Sequence, residues 1–430
     1  VVDPDISAAE ARSLLSLPDD APATWTRRRF LSAIAYGVTG SLVAGSLADL
    51  IAPGALPGHG GAARAASAPG GILVVILMYG GNDGANTVVP IADGAYYDQR
   101  GALAIAPDAV LPLDGSFGLN PALPTLKAHW DAGRLAIVHG VGYPNPDLSH
   151  FTSMGIWMSG RVGSPPSTGW LGRWLDLQPG GDDALLAATV STSVPLHLVG
   201  AQRRGSAVPP WGIDFGAGSD PADLRLYDGL RALSAQPAGR GPWHDLVATT
   251  VRRQLDLATT VSPVFSDDLP DSEIVRKLVI AARLVNAGIG LRVVDVGWGD
   301  FDSHANQPWM HTERMRELDE GIARFYATLD PTWHDRVTIM TMSEFGRTPY
   351  ANDSAGTDHG TASCQLLLGS SVVGGMYGEP PVLTGLGRWE RPAHTVDVRS
   401  YYATVLEGCL GGGAAEVVGG GFPSLGCFGG

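Results

Sequence analysis

The chain has 430 residues, 44% hydrophobic and 17% charged, enough apolar material for a large core, which excludes global disorder. Its 29 Lys and Arg against 43 Asp and Glu give a net charge of −14 with no basic run, which argues against nucleic acid as a partner. Three Cys make neither a disulfide scaffold nor a cysteine-rich zinc module.

Residues 1–65 read as an export region. Thr26-Arg27-Arg28-Arg29-Phe30-Leu31 precedes an uncharged, moderately apolar stretch from Leu31 to Ala48, and Ala63-Arg64-Ala65 supplies a small-residue cleavage pattern. The paired arginines resemble a twin-arginine signal, so export to the periplasm or the extracellular space through that translocase is expected. The stretch is too rich in Gly and Ser to favour a membrane anchor, although an uncleaved signal acting as one stays open.

Residues 66–430 read as one α/β domain. Ile72 to Met78 is a continuous apolar run, a buried parallel strand feeding the glycine-rich loop 79–84. A helix from Pro121 to Gly133, a strand at 135–139 and a helix from Asp147 to Ser159 follow. Residues about 160–271 break the rhythm with Pro-Pro pairs and Gly-rich turns, and read as an insertion or cap with helices near 222–235 and 243–260. A strand at 291–296, a helix at 310–329, strands at 337–342 and 366–368 and a closing helix at 397–410 complete the pattern, before a glycine-rich irregular tail. Alternating strands and helices predict a mostly parallel central sheet with helices on both faces.

In such sheets ligands bind beyond the carboxyl ends of the strands, and the polar residues fall there. Asp83 follows the first strand, Ser149 and His150 the second, Asp302 and His304 the strand at 291–296, and Glu344 that at 337–342; Asp358 and His359 border the strand at 366. Carboxylates mixed with imidazoles suit a divalent ion such as Zn, Mn, Mg or Ca, which would also reverse the acidic field for an anionic substrate. Singly, each has a plain structural reading: Asp83 as a turn residue, Asp147 or Ser149 as a helix cap, Glu344 as a partner of Arg347.

The strings Gly80-Gly81-Asn82-Asp83-Gly84-Ala85-Asn86, Ser149-His150-Phe151, Phe301-Asp302-Ser303-His304-Ala305-Asn306-Gln307, Ser343-Glu344-Phe345-Gly346-Arg347-Thr348 and Gly356-Thr357-Asp358-His359-Gly360 occur in this order. With the twin-arginine signal they resemble the exported bacterial family called domain of unknown function 1501, grouped with the alkaline phosphatase and sulfatase superfamily. The resemblance implies an alkaline-phosphatase-like fold. It implies metal ligands at Asp83, Asp302, His304 and His359, with Asp358 and Glu344 as further candidates, and a nucleophile in the region of Ser149. His150 is expected as acid/base and Arg347 as holder of an anionic oxygen. Where the superfamily carries a metal-binding Asp-His pair this chain has Glu344-Phe345, and Phe345 cannot coordinate. No Cys-x-Pro-x-Arg motif occurs, which argues against a formylglycine sulfatase.

Two functions follow. One is a metal-dependent hydrolase of phosphate or sulfate esters, acting on a small anionic ester or a polysaccharide-derived one. The other is a non-catalytic exported binding or assembly protein with a degenerate metal site. No dinucleotide fingerprint or haem motif points to redox chemistry. Cys409 and Cys427 are expected to bridge the tail to the last helix, and Cys364 to be a buried thiol. Trp157, Trp170, Trp174, Trp211 and Trp243 read as insertion core in preference to an aromatic wall for a sugar or aryl group.

Overall fold

The computed structural model describes residues 70–163, 167–180, 185–212, 221–235, 239–265 and 268–429. The twin-arginine motif and the cleavage site lie outside the described residues. Among these residues no helix is long and apolar enough to cross a membrane.

Twelve strands form among the described residues, in chain order: β1 Ile72–Met78, β2 Val88–Val89, β3 Leu111–Pro112, β4 Gly118–Leu119, β5 Leu135–Gly142, β6 Ala187–Thr189, β7 Ser206–Ala207, β8 Val293–Trp298, β9 Val337–Met342, β10 Ser363–Gly369, β11 Gly375–Tyr377 and β12 Val396–Asp397. Nine make one sheet in the order β11-β5-β10-β9-β1-β8-β6-β7, with β12 also paired to β5; β2, β3 and β4 form a small separate sheet. Within the large sheet β10 runs against its neighbours, β5 and β9, and the other described pairings are parallel. The carboxyl ends of β1, β5, β8 and β9 therefore share an edge, and so does the amino end of β10.

The sheet is buried on both faces because β1 alternates its side chains between two cores. Ile72, Val74 and Ile76 pack with Leu278 and Ile280 of the helix Glu273–Asn286 and with Leu318 and Phe325 of Gln307–Thr328. Leu73, Val75 and Leu77 pack with Trp157 of the helix His150–Ser159, Trp170 and Trp174 of Trp170–Leu177, and Tyr401 and Tyr402 of Val398–Val405. Trp157, Trp170 and Trp174 are thus core, whereas Trp211 is exposed; the Trp243 side chain lies outside the described residues.

Three expectations change. The segment 160–271 does more than cap the sheet: β6 and β7 extend it beyond β8, on strands of two or three residues that carry no apolar run to announce them. The helix Glu273–Asn286, one of the most buried, has no counterpart in the sequence reading. All three cysteines are free and buried, so Cys409 and Cys427 form no bridge. The tail is closed by packing instead: Phe428 pairs with Val372 and its ring lies where a Cβ on Gly408 would stand.

Candidate metal centre

The loop after β1 can touch the loops after β8 and β9 because Gly80 and Gly81 carry no side chain. Their φ values are +112° and +82°, and a Cβ on Gly80 would lie 2.4 Å from the Asp302 amide nitrogen, one on Gly81 2.4 Å from the Phe345 ring. Ser343 ties the loops together, accepting from the Asn82 amide at 2.8 Å and donating to the Met78 carbonyl at 3.0 Å. An isolated bridge between Arg347 and His359 brings in the segment before β10.

Three histidines and one aspartate converge at this edge. His304 Nε2 and His359 Nε2 stand 3.0 Å apart, and each is 3.0 Å from Asp302 Oδ1. His150 Nε2 approaches the other Asp302 oxygen at 3.3 Å. The opposite nitrogen of each ring has an acceptor. His359 Nδ1 donates to the Leu148 carbonyl at 2.7 Å, His304 Nδ1 to Asp358 at 3.1 Å and His150 Nδ1 to Glu344 Oε1 at 2.8 Å. Those partners accept only, so each Nδ1 carries a hydrogen, and a ring in its neutral form turns its Nε2 lone pair to the common point.

Lone pairs of two imidazoles and a carboxylate at 3.0 Å repel unless a cation lies among them. Doubly protonating both rings would instead set two N–H groups against each other, and burial, ahead of the weaker pull of Arg347, already lowers the His359 pKa against the Leu148 and Asp302 bonds. Donors around an ion at about 2.1 Å and at right angles lie about 3 Å apart, so the spacing fits a divalent cation. The Nδ1 partners are the outer ring that fixes tautomer and aim at such sites. The buried Glu344 Oε2 and His150 Nε2 make no aligned hydrogen bond, a further sign of a polar site built for something else.

Electrostatics centre on Asp302. Burial alone would raise its pKa, but the hydrogen bond and charge of Arg347, with the adjacent imidazoles of His359 and His304, outweigh it and hold it at about 2. It is an anion at any ordinary pH, as a ligand must be.

Several expected roles move. Asp83 does not join the centre: it is 1% exposed, and Arg100 holds its two oxygens at 2.7 Å each, with Gln307 on one of them. A carboxylate neutralised in this way has little left for a metal. Arg347 is buried and spent. It donates to the carbonyls of Gly80, Gly81, Phe301 and Thr357 and to Asp302 at 2.6 Å, so it locks the loops together, and with its side chain fully buried it offers no exposed donor to a substrate anion. Glu344, which also accepts from the Gly80 amide at 2.8 Å, orients His150 and does not face the Nε2 point; Asp358 does the same for His304. His150, expected as acid/base, has its Nε2 among the candidate ligands, and His150, Asp302 and His359 offer ligand atoms within 4.8 Å of one another. Ser149 is exposed at the start of the helix His150–Ser159 and its side chain makes no capping bond. The Leu148 carbonyl escaped the sequence reading because a backbone oxygen has no residue signature; Arg100 escaped because nothing local links it to Asp83.

Comparison with known proteins places this chain. The model of the family described as "Protein of unknown function (DUF1501)" matches residues 135–408. The chain belongs to the DUF1501 family. No curated protein matches it. Solved structures similar to it include the PsFucS1 sulfatase from Pseudoalteromonas sp., at 9% identity and TM-score 0.35, covering 87% of this chain and 71% of that one. Another is a protein in the alkaline phosphatase superfamily from Vibrio parahaemolyticus, at 10% identity and TM-score 0.33, covering 89% and 75%. A third is Ps i-CgsB in complex with k-i-k-neocarrahexaose, at 10% identity and TM-score 0.34, covering 82% and 73%. Likenesses this distant carry no argument about activity.

Proposed function

We propose that this DUF1501 protein is an exported, metal-dependent hydrolase of phosphate or sulfate esters. The observation that carries the reading is the convergence of the Nε2 atoms of His150, His304 and His359 on Asp302, each ring anchored through Nδ1. His304, His359 and Asp302 would hold the ion. An imidazole-rich set favours Zn²⁺ or another transition ion over Mg²⁺ and Ca²⁺. When bound, the ion supplies positive charge for the anionic group of the ester.

The chain's own residues then divide the work. His150 bridges two carboxylates, Glu344 at 2.8 Å and Asp302 at 3.3 Å, a position suited to holding a proton at Nε2. Ser149, between Leu148 and His150, presents a hydroxyl next to residues that touch the centre. In the proposed reaction the Ser149 oxygen bonds to the phosphorus or sulfur, and the bond to the alcohol oxygen breaks. That alcohol leaves with a proton from His150 Nε2, and the serine proton restores His150. Water then releases the acid and regenerates the hydroxyl, so that ester and water give alcohol and acid.

The test is metal analysis of protein purified without chelators, followed by assay of aryl phosphate and aryl sulfate esters. One ion per chain, lost in His304→Ala together with ester cleavage, is expected. Protein that binds no ion under any loading condition would overturn the reading. A second reading, a non-catalytic exported protein with a reduced metal site, is favoured by one observation: Arg100 closes Asp83, so the set for a second ion is incomplete. An ion bound with no ester cleaved would support it.

A further inference from the structure

A second polar cavity, of about 330 Å³, opens beside the carboxyl ends of β8 and β6. That volume lies in the range of small-molecule sites. Asp295, Lys277, Thr189, Ser191, Ser193 and Trp298 are among its walls. Asp295 is 2% exposed; Thr189 donates to its Oδ2 at 2.7 Å, while Oδ1 has no aligned hydrogen bond. His197 Nε2 stands 2.9 Å from that oxygen but out of line for a bond. Lys277, also buried, spends two of its three N–H groups, on Glu273 and on the Gly297 carbonyl at 2.7 Å, and keeps one.

The chain links two walls of the cavity to loops of the metal centre. Tyr79 lines it, and the next residue, Gly80, donates to Glu344. Gly299 lines it, three residues before Asp302. Burial first, then the charges of Asp295 and Glu344, raise the Tyr79 pKa, in keeping with a phenol set between the cavity floor and the centre.

We propose that this cavity binds the neutral, hydroxyl-rich part of the substrate, a sugar or comparable polyol ring, while the ester group meets the histidines. The assignment rests on the hydrolase reading above for the second half only. Two carboxylates, Glu273 and Asp295, disfavour an anion there, and the Lys277 ammonium disfavours a cation. A ring that both donates and accepts satisfies Asp295, Lys277 and the hydroxyls of Thr189, Ser191 and Ser193 at once, with Trp298 as an apolar wall.

Saturation-transfer NMR with galactose, fucose, glucose and xylose tests it directly. Transfer to the ring protons of at least one sugar is expected in the wild type and in His304→Ala. Asp295→Asn should weaken binding about tenfold, the loss of one charge-assisted hydrogen bond. Ser193→Trp, a partly exposed position, should abolish it without disturbing the buried pair, which covers the case in which Asp295→Asn fails to fold. No transfer from any sugar, or binding indifferent to Ser193→Trp, overturns the proposal. Sugar binding without ester cleavage would sink the hydrolase and leave the cavity; ester cleavage without sugar binding would do the reverse.

Discussion

Replacing Glu344 by Gln isolates what the carboxylate does for His150. Glutamine keeps the shape, and its amide oxygen can still accept from the Gly80 amide and from His150 Nδ1, both at 2.8 Å in the native site. The bare Oε2, which has no partner, becomes an amide NH₂, so little else changes. What is lost is the negative charge behind the imidazole. Outer partners of ligating histidines are worth about 10- to 100-fold in metal affinity or activity, roughly 1.4–2.7 kcal/mol. Glu344 is 1% exposed, so water cannot replace its charge, and Glu344→Gln should fall at the upper end of that range. Asp358 is 33% exposed on its side chain, and Asp358→Asn should fall at or below the lower end. The rate of ester cleavage reads the loss in Glu344→Gln, and competition titration against a chromogenic Zn²⁺ chelator at fixed pH reads that in Asp358→Asn. A wild-type rate of ester cleavage in Glu344→Gln, or an Asp358→Asn loss larger than that of Glu344→Gln, would refute the assignment of Glu344 as the partner that aims His150.

Arg347→Met should destabilise the domain by about 3 kcal/mol, since it removes the Arg347 donor from the buried Gly80, Gly81 and Thr357 carbonyls; the Asp302 share is small because that carboxylate is 40% exposed. Urea unfolding at neutral pH measures it, and a loss below about 1 kcal/mol would contradict the locking role. The depressed Asp302 pKa, about 2 against about 3.9 for a free carboxyl, contributes stability that is present above about pH 4 and lost as pH falls through about 2. The thermal midpoint of metal-free wild type should therefore drop more steeply over that window than that of Asp302→Asn; parallel curves would count against the ion pair. For export, changing Arg27 and Arg28 to Lys should retain the protein in the cytoplasm, checked by fractionation, whereas normal export of the double mutant would remove the twin-arginine reading.

Local chemistry alone determined the strands that carry the site. Seven apolar residues in Ile72–Met78, and four in Val337–Met342 with Thr338 and Thr341 on opposite faces, leave no polar face, so they had to be central strands, and the polar residues after them had to lie at the ligand edge. The five motif strings, read together, also sufficed for the family. Tertiary structure decided the rest. His359 precedes its strand, and in a fully parallel sheet it would sit at the far edge; the antiparallel course of β10 returns it to the centre. Strand direction is set by pairing partners distant in sequence, which no local pattern encodes. The same holds for roles within the motifs. Asp83 and Asp302 look alike as carboxylates after strands, yet Arg100 seals one and two histidines face the other. Which charge a carboxylate meets depends on chain segments brought together only by folding, and that contact, not the residue type, separates a buried structural ion pair from a ligand.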